Sequence, residues 1–137
     1  MSTDLLALGR QALQGQAFSR LLGTELDAFE PGLATLRLPL RDDHRQQHVF
    51  VHGGAISYLA DNALTFAGGS VLGDSVTAEY KINYLRPAQG GRALVAEARV
   101  LGSGKTQAVC RCDVYVLQAD GQRRLCAAAQ GTIRKVD

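Results

Sequence analysis

The chain has 137 residues, of which 46% are hydrophobic and 20% are charged, and its 15 basic and 13 acidic residues give a net charge of +2. This length and composition fit a single globular domain over residues 1–137, and the interspersed charges argue against nucleic acid as the main partner. The apolar runs are too short for a membrane-spanning helix or a secretory signal, so we expect a cytoplasmic protein with no membrane partner.

Residues 1–20 form the first predicted element, a short amphipathic helical segment. Apolar residues recur there at helical spacing after the possible caps Ser2 and Thr3, namely Leu5, Leu8, Ala12 and Leu13. Gly15 and Gly23 disfavour a longer helix. We therefore expect the segment to be short.

Two strands are predicted next, because from Leu22 the apolar period changes to two. The first strand carries Leu22, Thr24, Leu26 and Ala28 on one face and ends in the turn Glu30-Pro31-Gly32. The second carries Ala34, Leu36, Leu38 and Leu40. The polar stretch 41–47 that follows is predicted to be a loop.

A central helix gives the clearest pattern in the sequence. After Gly53-Gly54 the apolar residues fall at helical spacing, at Ile56, Leu59, Ala60, Ala63, Leu64 and Ala67. Gly68-Gly69 predicts the C-terminal cap of this helix.

Four further strands are predicted in the rest of the chain, separated by glycine-rich turns. Their expected inward faces are Val76, Ala78, Tyr80, Ile82 and Tyr84, then Leu94, Ala96, Ala98 and Val100, then Ala108, Cys110, Cys112, Val114 and Val116, and last Leu125, Ala127, Ala129 and Ile133. This order favours an α+β fold in which an antiparallel sheet packs with one face on the central helix.

The entrance of the central helix, His52-Gly53-Gly54, is the first candidate site. Glycines there admit a close approach to the backbone, and the first N–H groups of a helix have no partner within it. They could therefore stabilise negative charge on a carbonyl oxygen. A plain turn before a helix is the alternative, and His52 is equally consistent with an acid/base group and with a structural hydrogen-bonding residue.

Asp61 is the second candidate. At 100° per residue it lies about 120° from the apolar stripe, beside Tyr58 and Thr65, and so does not face the core. A solvated surface acid is the simpler interpretation. The neighbouring polar residues carry little charge, however, as expected of a surface that contacts another subunit.

Other motifs are excluded. Gly102-Ser103-Gly104-Lys105-Thr106 has part of a phosphate-loop pattern but leads into a strand. Cys110, Cys112 and Cys126 have no metal-binding or CxxC spacing and are predicted to be buried thiols. We expect neither a metal nor a cofactor.

Three segments resemble the PaaI-type hotdog-fold acyl-CoA thioesterases. Residues 52–63, His-Gly-Gly followed by Leu-Ala-Asp, resemble the central helix of that family, and the strand over 77–88 and Gly-Lys-Thr at 104–106 are also similar. The resemblance runs from about residue 20 to the end and implies a hotdog fold, an antiparallel sheet wrapped around a central helix.

The resemblance implies hydrolysis of an acyl-CoA at a site shared by two subunits. Asp61 would be the nucleophile or the general base, the Gly53 N–H at the helix start would polarise the carbonyl, and Thr77 would position water or Asp61 from the partner subunit. His52 and Gly54 would shape the turn, while Arg86 and Lys105 are candidates for contacting the CoA phosphates. The implied assembly is a homodimer or homotetramer.

One position departs from the family pattern. Six residues before His52, where the family has an asparagine, this chain has Gln46, with His48 nearby. Gln46 either substitutes for the asparagine with altered substrate preference or lowers activity. A non-catalytic acyl-CoA binder is therefore the alternative function. A hotdog hydratase is disfavoured, because His52 directly precedes the two glycines.

Overall fold

The computed structural model describes residues 4–136, and the backbone alone of His48. Helices α1 (Leu5–Gln14) and α2 (Ala17–Leu22) precede strands β1 (Glu25–Glu30) and β2 (Leu33–Pro39), and two single 3₁₀ turns lead into helix α3 (Gly53–Leu72). Strands β3 (Ser75–Tyr84), β4 (Ala93–Ser103), β5 (Gln107–Leu117) and β6 (Arg123–Lys135) complete the chain. The predicted order of elements is confirmed, except that the N-terminal segment forms two helices where one short helix is predicted.

The six strands form one antiparallel sheet in the order β1-β2-β4-β5-β6-β3. Its inner face packs on α3, and this contact forms the core: small and branched side chains of β2, β4, β5 and β6 lie against the apolar stripe of the helix. Burial of that stripe supplies the main driving force for the arrangement. The predicted α+β architecture is confirmed.

The first boundary that differs from prediction is the start of β1. Leu22 is the last residue of α2, and Gly23 ends that helix in the left-handed conformation with φ 88°. The strand therefore begins at Glu25, and the prediction of a strand from Leu22 is wrong. Leu22 fits the period-two pattern of β1 only by coincidence, because it belongs to the helix before that strand.

The predicted end of α3 at Gly68-Gly69 is also wrong. The helix continues to Leu72 and is capped by Gly73, whose φ is 87°. A Cβ at Gly68 would lie 2.7 Å from the Ile133 side chain, so this glycine permits close packing of helix on sheet. Although α3 has 20 residues, no helix within residues 4–136 is apolar and long enough to cross a membrane.

A β-bulge changes the face pattern predicted for β3. The pairing of β3 with β6 skips Ala78, between Thr77 and Glu79. Tyr80 and Ile82 pack towards the core as predicted, but Val76 is 52% exposed and Thr77 takes the inward position. The alternation expected from Val76 onwards is therefore wrong before the bulge, because one extra residue inverts the two faces of a strand.

The three cysteines are buried free thiols, as predicted. Burial raises the pKa of both Cys110 and Cys126 to about 11, and it raises that of Cys112 as well. At neutral pH all three side chains are therefore protonated and behave as small apolar groups.

Val49, just before α3, has an unusual backbone conformation. Its φ is 58°, the left-handed region, and its side chain is 63% exposed. A β-branched residue there costs about 1–2 kcal/mol, whereas glycine adds about 0.5–1 kcal/mol of backbone entropy loss. We expect Val49→Gly to raise the free energy of unfolding by up to about 1 kcal/mol in urea denaturation. The Val49→Ala variant, which keeps a Cβ, should show a smaller rise in the free energy of unfolding. A Val49→Gly variant less stable than wild type would contradict this account.

Candidate active site

The start of α3 is held by the side chain of His52. The Gly54 N–H donates a hydrogen bond to His52 Nδ1 at 2.8 Å, so His52 is the N-cap of the helix. The Gly53 N–H has no hydrogen-bond acceptor within residues 4–136. One backbone donor at the positive end of a 20-residue helix is therefore available to an oxygen atom of a ligand.

A cleft of about 570 Å³ lies in front of this helix end. Four of the predicted binding residues, Gln46, His52, Gly54 and Arg86, line it together with Gly53. The structure thus brings these residues together from the loop before α3, the helix itself and the segment after β3. The side chain of His48, which the sequence places near Gln46, lies outside the described part of the chain.

Tyr84 lines the same cleft and was missed as a site residue by the sequence analysis. Its hydroxyl donates a hydrogen bond to the Gly53 carbonyl oxygen at 3.0 Å, and its side chain is 54% exposed. Simple alternation assigned Tyr84 to the core face of β3. A tyrosine at a strand end, next to a proline-containing turn, was the available signal that this residue contacts a cleft.

Asp61 lies two turns further along α3 and is half-buried. The Thr77 hydroxyl donates to Asp61 Oδ1 at 2.5 Å, a distance typical of a hydroxyl on a carboxylate. The Thr65 hydroxyl lies 2.8 Å from Thr77 Oγ1 and 2.9 Å from the Asp61 carbonyl oxygen. Asp61 Oδ2 has no hydrogen-bond partner within residues 4–136. Oδ1 is thus held in place by Thr77, and Oδ2 is available to accept a hydrogen bond from water or to contact a substrate.

Thr77 reaches Asp61 of its own chain. The resemblance implies that Thr77 positions water or Asp61 from the partner subunit, whereas the structure shows Thr77 bonded to Asp61 within one chain. The reason is the bulge at Ala78, which turns Thr77 towards α3. Thr65 could have been predicted for this cluster, since residues four apart on a helix are neighbours.

A cleft of about 350 Å³ opens beside Asp61, between α2 and α3. Tyr58 and Asn62 line it, and their side chains join Ser19 and Gln16 in one hydrogen-bonded network. A second cleft, of about 230 Å³, shares Gln16, Asn62 and Thr65 with the first and continues between α1 and α3. Its walls include Leu8, Phe29 and Phe66, so the space beyond Asp61 is largely apolar.

Gly53 and Asp61 are too far apart within one chain to contact the same small group. They are eight residues apart on one helix, which corresponds to about 12 Å. A thioester carbonyl that accepts from the Gly53 N–H therefore lies out of reach of Asp61 of the same chain.

Arg86 and Lys105 lie at opposite ends of the sheet. Arg86 follows β3 and lines the cleft in front of Gly53, whereas Lys105 is in the turn between β4 and β5. Strand β5, with 11 residues, spans about 35 Å between those ends. Within one chain the two cations are therefore too far apart to contact the same phosphate group, and the cleft in front of Gly53 is lined by Arg86 and not by Lys105.

His44, in the loop before the site, is buried and was not singled out from the sequence. It is 2% exposed; the Arg41 N–H donates to Nδ1 at 3.1 Å, and Nε2 lies 2.9 Å from the Leu22 carbonyl oxygen. The His52 N–H also donates to the His44 carbonyl oxygen. A neutral ring with its proton on Nε2 satisfies both ring contacts and ties the loop to α2 and α3.

Burial lowers the pKa of His44 below its ordinary value of 6.5, against the opposing effect of its hydrogen bond to Leu22. As the pH falls, His44 is therefore protonated in the unfolded chain before it is protonated in the folded chain. We expect the free energy of unfolding to fall as the pH drops below about 6.5. Urea denaturation at pH 7.5 and 5.5 measures this. The His44→Gln variant should be less stable than wild type at pH 7.5, but its free energy of unfolding should fall less than that of wild type between pH 7.5 and pH 5.5. Equal decreases in the variant and wild type would contradict a role of His44 in this pH dependence.

Comparison with known families identifies the family of this chain. The sequence model of the thioesterase superfamily matches residues 48–120, which include the helix start, Asp61 and Thr77. A protein of Saccharolobus solfataricus that is provisionally named an esterase is 32% identical over 124 residues, covering 89% of this chain and 79% of the relative. The acyl-coenzyme A thioesterase PaaI of Escherichia coli is 29% identical over 96 residues, covering 70% and 69% of the two chains.

Solved structures agree on the fold. A thioesterase family protein from Silicibacter pomeroyi superposes with a TM-score of 0.86 at 30% identity, over 91% of this chain and 93% of that one. The Escherichia coli PaaI structure gives 0.84 over 98% and 97% of the two chains, at 23% identity, and so supports the fold alone. The expected hotdog fold is confirmed.

Proposed function

Because this chain belongs to the thioesterase superfamily and is a thioester hydrolase, we propose that its substrate is an acyl-CoA and that Gly53 of one subunit and Asp61 of the partner subunit act on the same thioester. The observation that carries the proposal is the pair of sites on α3: an unpartnered N–H at the helix start and a half-free carboxylate two turns later. Each supplies one half of a hydrolytic site.

The separation of about 12 Å between the two groups is the reason for invoking a second subunit. Within the described part of the chain β3 is an edge strand of the sheet, so one row of its backbone N–H and C=O groups has no neighbouring strand there. Such an edge readily pairs with a second copy of itself. Val76, Tyr84 and Leu85 add exposed apolar surface along and beside it.

Antiparallel pairing of two β3 strands would bring the two halves of the site together. Thr77, bonded to Asp61, is near the start of β3, and Tyr84, bonded to Gly53, is its last residue. A twofold axis near the middle of β3 sets the start of one strand beside the end of the other. The proposed dimer thereby has two identical sites.

In the proposed reaction the thioester carbonyl oxygen accepts the Gly53 N–H, and the dipole of α3 stabilises the negative charge that develops on it. Asp61 then acts in one of two ways. As a general base, its free oxygen takes a proton from water, whose oxygen attacks the carbonyl carbon. As a nucleophile, that oxygen attacks the carbon and water cleaves the resulting anhydride. Both routes break the C–S bond and release a carboxylic acid and the CoA thiol.

The acyl group would lie in the apolar cleft between α1 and α3 of the subunit that supplies Asp61. Thr65 and Asn62 connect that cleft to the surroundings of Asp61. Its volume of about 230 Å³ exceeds the roughly 150 Å³ of an apolar cavity that holds benzene, so the cleft accommodates a ring or a short chain.

The direct test is thiol release from a panel of acyl-CoAs with short and long aliphatic, arylacetyl and hydroxybenzoyl groups. We expect turnover on at least one member. If no member is turned over while acyl-CoA still binds in titration, the chain acts as an acyl-CoA binder. Gln46 favours that second candidate, because its longer amide side chain lines the cleft in place of the asparagine of the related enzymes.

A further inference from the structure

A polar cleft of about 380 Å³ continues from the one in front of Gly53. The two share Phe50, Leu85, Arg86 and Pro87, so they form one path that runs from the helix start across the end of the sheet. The further part is lined by Arg124, at the start of β6, and by Gln89 and Gln118. The exposed surface of its lining is mostly polar, whereas that of the cleft beside Phe66 is mostly apolar.

Two arginines without acidic partners face this cleft. Among residues 4–136, the ion pairs use Arg37, Arg111 and Arg123, and no carboxylate lies within ion-pair distance of Arg86 or Arg124. Neither part of the path has an aspartate or glutamate in its lining. The helix start adds further positive potential at its near end. The path is therefore complementary to an anion.

We propose that Arg124, with Arg86, binds the phosphate groups of the CoA leaving group, and this inference rests on the acyl-CoA hydrolysis proposed above. With the thioester at Gly53, the uncharged pantetheine arm crosses the first part of the path and the phosphates reach the second. Arginine suits phosphate because its guanidinium presents several donors in one plane. The amides of Gln89 and Gln118 supply further donors to phosphate or ribose oxygens.

The neighbouring arginine, Arg123, does not share this role. Its guanidinium donates to Glu97 at 2.7 Å and lies over the Tyr115 ring, on the other face of the sheet. Successive side chains of a strand point to opposite faces, so Arg124 alone of the two faces the cleft. The nucleotide-binding role thus falls on one particular residue of the pair.

The experiment compares Arg124→Gln with wild type on two thioesters of the same acid, the CoA ester and the pantetheine ester, which has no phosphate. We expect KM for the CoA ester to rise about tenfold, with kcat retained and the pantetheine ester unaffected. Raising the salt concentration should weaken CoA-ester binding in wild type more than in the variant. Arg86→Gln should act in the same direction.

Arg99→Gln is the matched control, since it removes the same charge from an exposed position of β4, away from the edge strand β3 and outside both clefts. An equal rise of KM in this control, or an equal rise for the pantetheine ester in Arg124→Gln, would overturn the proposal. Thermal melting checks that each variant is folded. If wild type hydrolyses neither ester, the proposed function fails, and titration with CoA itself then decides: weaker binding by Arg124→Gln than by wild type supports the phosphate site, and equal binding overturns it.

Discussion

Asp61→Ala should abolish thioester hydrolysis and leave the fold intact. The carboxylate is half-buried, is held on one side by Thr77 and lies outside the buried stripe of α3, so its removal deletes chemistry without opening the core. Loss of a positioned general base costs about 10²–10⁴-fold, and loss of a nucleophile would cost at least as much. Thiol release measures the rate, and thermal unfolding monitors the fold.

Asp61→Asn separates charge from shape. The amide oxygen still accepts from Thr77, but it is a poor base and a poor nucleophile. We expect Asp61→Asn to be nearly as inactive as Asp61→Ala. Glu30→Gln, which removes the same charge from the exposed last residue of β1, should keep wild-type activity. Turnover in Asp61→Asn within tenfold of wild type would exclude Asp61 as base and nucleophile alike.

The second large effect is expected from Gly53→Pro. Proline has no N–H, but it suits the first position of a helix, and His52 has φ −60° and ψ 133°, as a residue before proline prefers. The change therefore removes the proposed oxyanion donor and preserves the helix start. We expect a loss of about 10²–10³-fold in kcat.

Gly53→Ala is the matched control for that variant. It keeps the N–H, and its added Cβ would lie 3.6 Å from the Tyr84 ring, an ordinary contact. We expect Gly53→Ala to lose far less activity than Gly53→Pro. Equal losses in the two variants would show that the space at this position matters and the N–H does not.

Mixing the two inactive variants tests the sharing of the site between subunits. In a dimer of one Asp61→Ala chain and one Gly53→Pro chain, one site has lost both groups and the other retains both. Random exchange of subunits should then restore about a quarter of wild-type activity. No recovery after subunit exchange, verified by mass spectrometry with one isotope-labelled partner, would contradict the proposed dimer.

The spacing of apolar residues along the chain was enough to predict the order of the helices and strands and most of their buried faces. Alternating small and branched residues predicted β2, β4 and β5, and the apolar stripe predicted the course of α3 from its start. The same stripe placed Asp61 off the core, and glycines at the helix entrance drew attention to Gly53. These inferences succeeded because the period of apolar residues follows directly from the geometry of a helix or strand.

Local pattern failed where a residue's position depends on a distant partner. The Gly68-Gly69 pair predicts a helix end, but Gly68 is the point where Ile133 packs on α3. Alternation predicts that Val76 faces inward, but the bulge at Ala78 places Thr77 there instead. In both cases the contact that decides the position is made by β6, near the end of the chain. The spacing of the residues around Gly68 or Val76 does not predict that contact.

Spacing along short stretches of chain is enough to predict the α+β class, the two candidate site segments of α3 and the burial of the cysteines. The folded chain is needed to see that Thr77 holds Asp61 of its own chain, that His44 anchors the loop before the site, and that Arg86 and Arg124 line one path. Those juxtapositions join residues from separate elements. They depend on strand order and register, which are fixed by the packing of the whole sheet on α3.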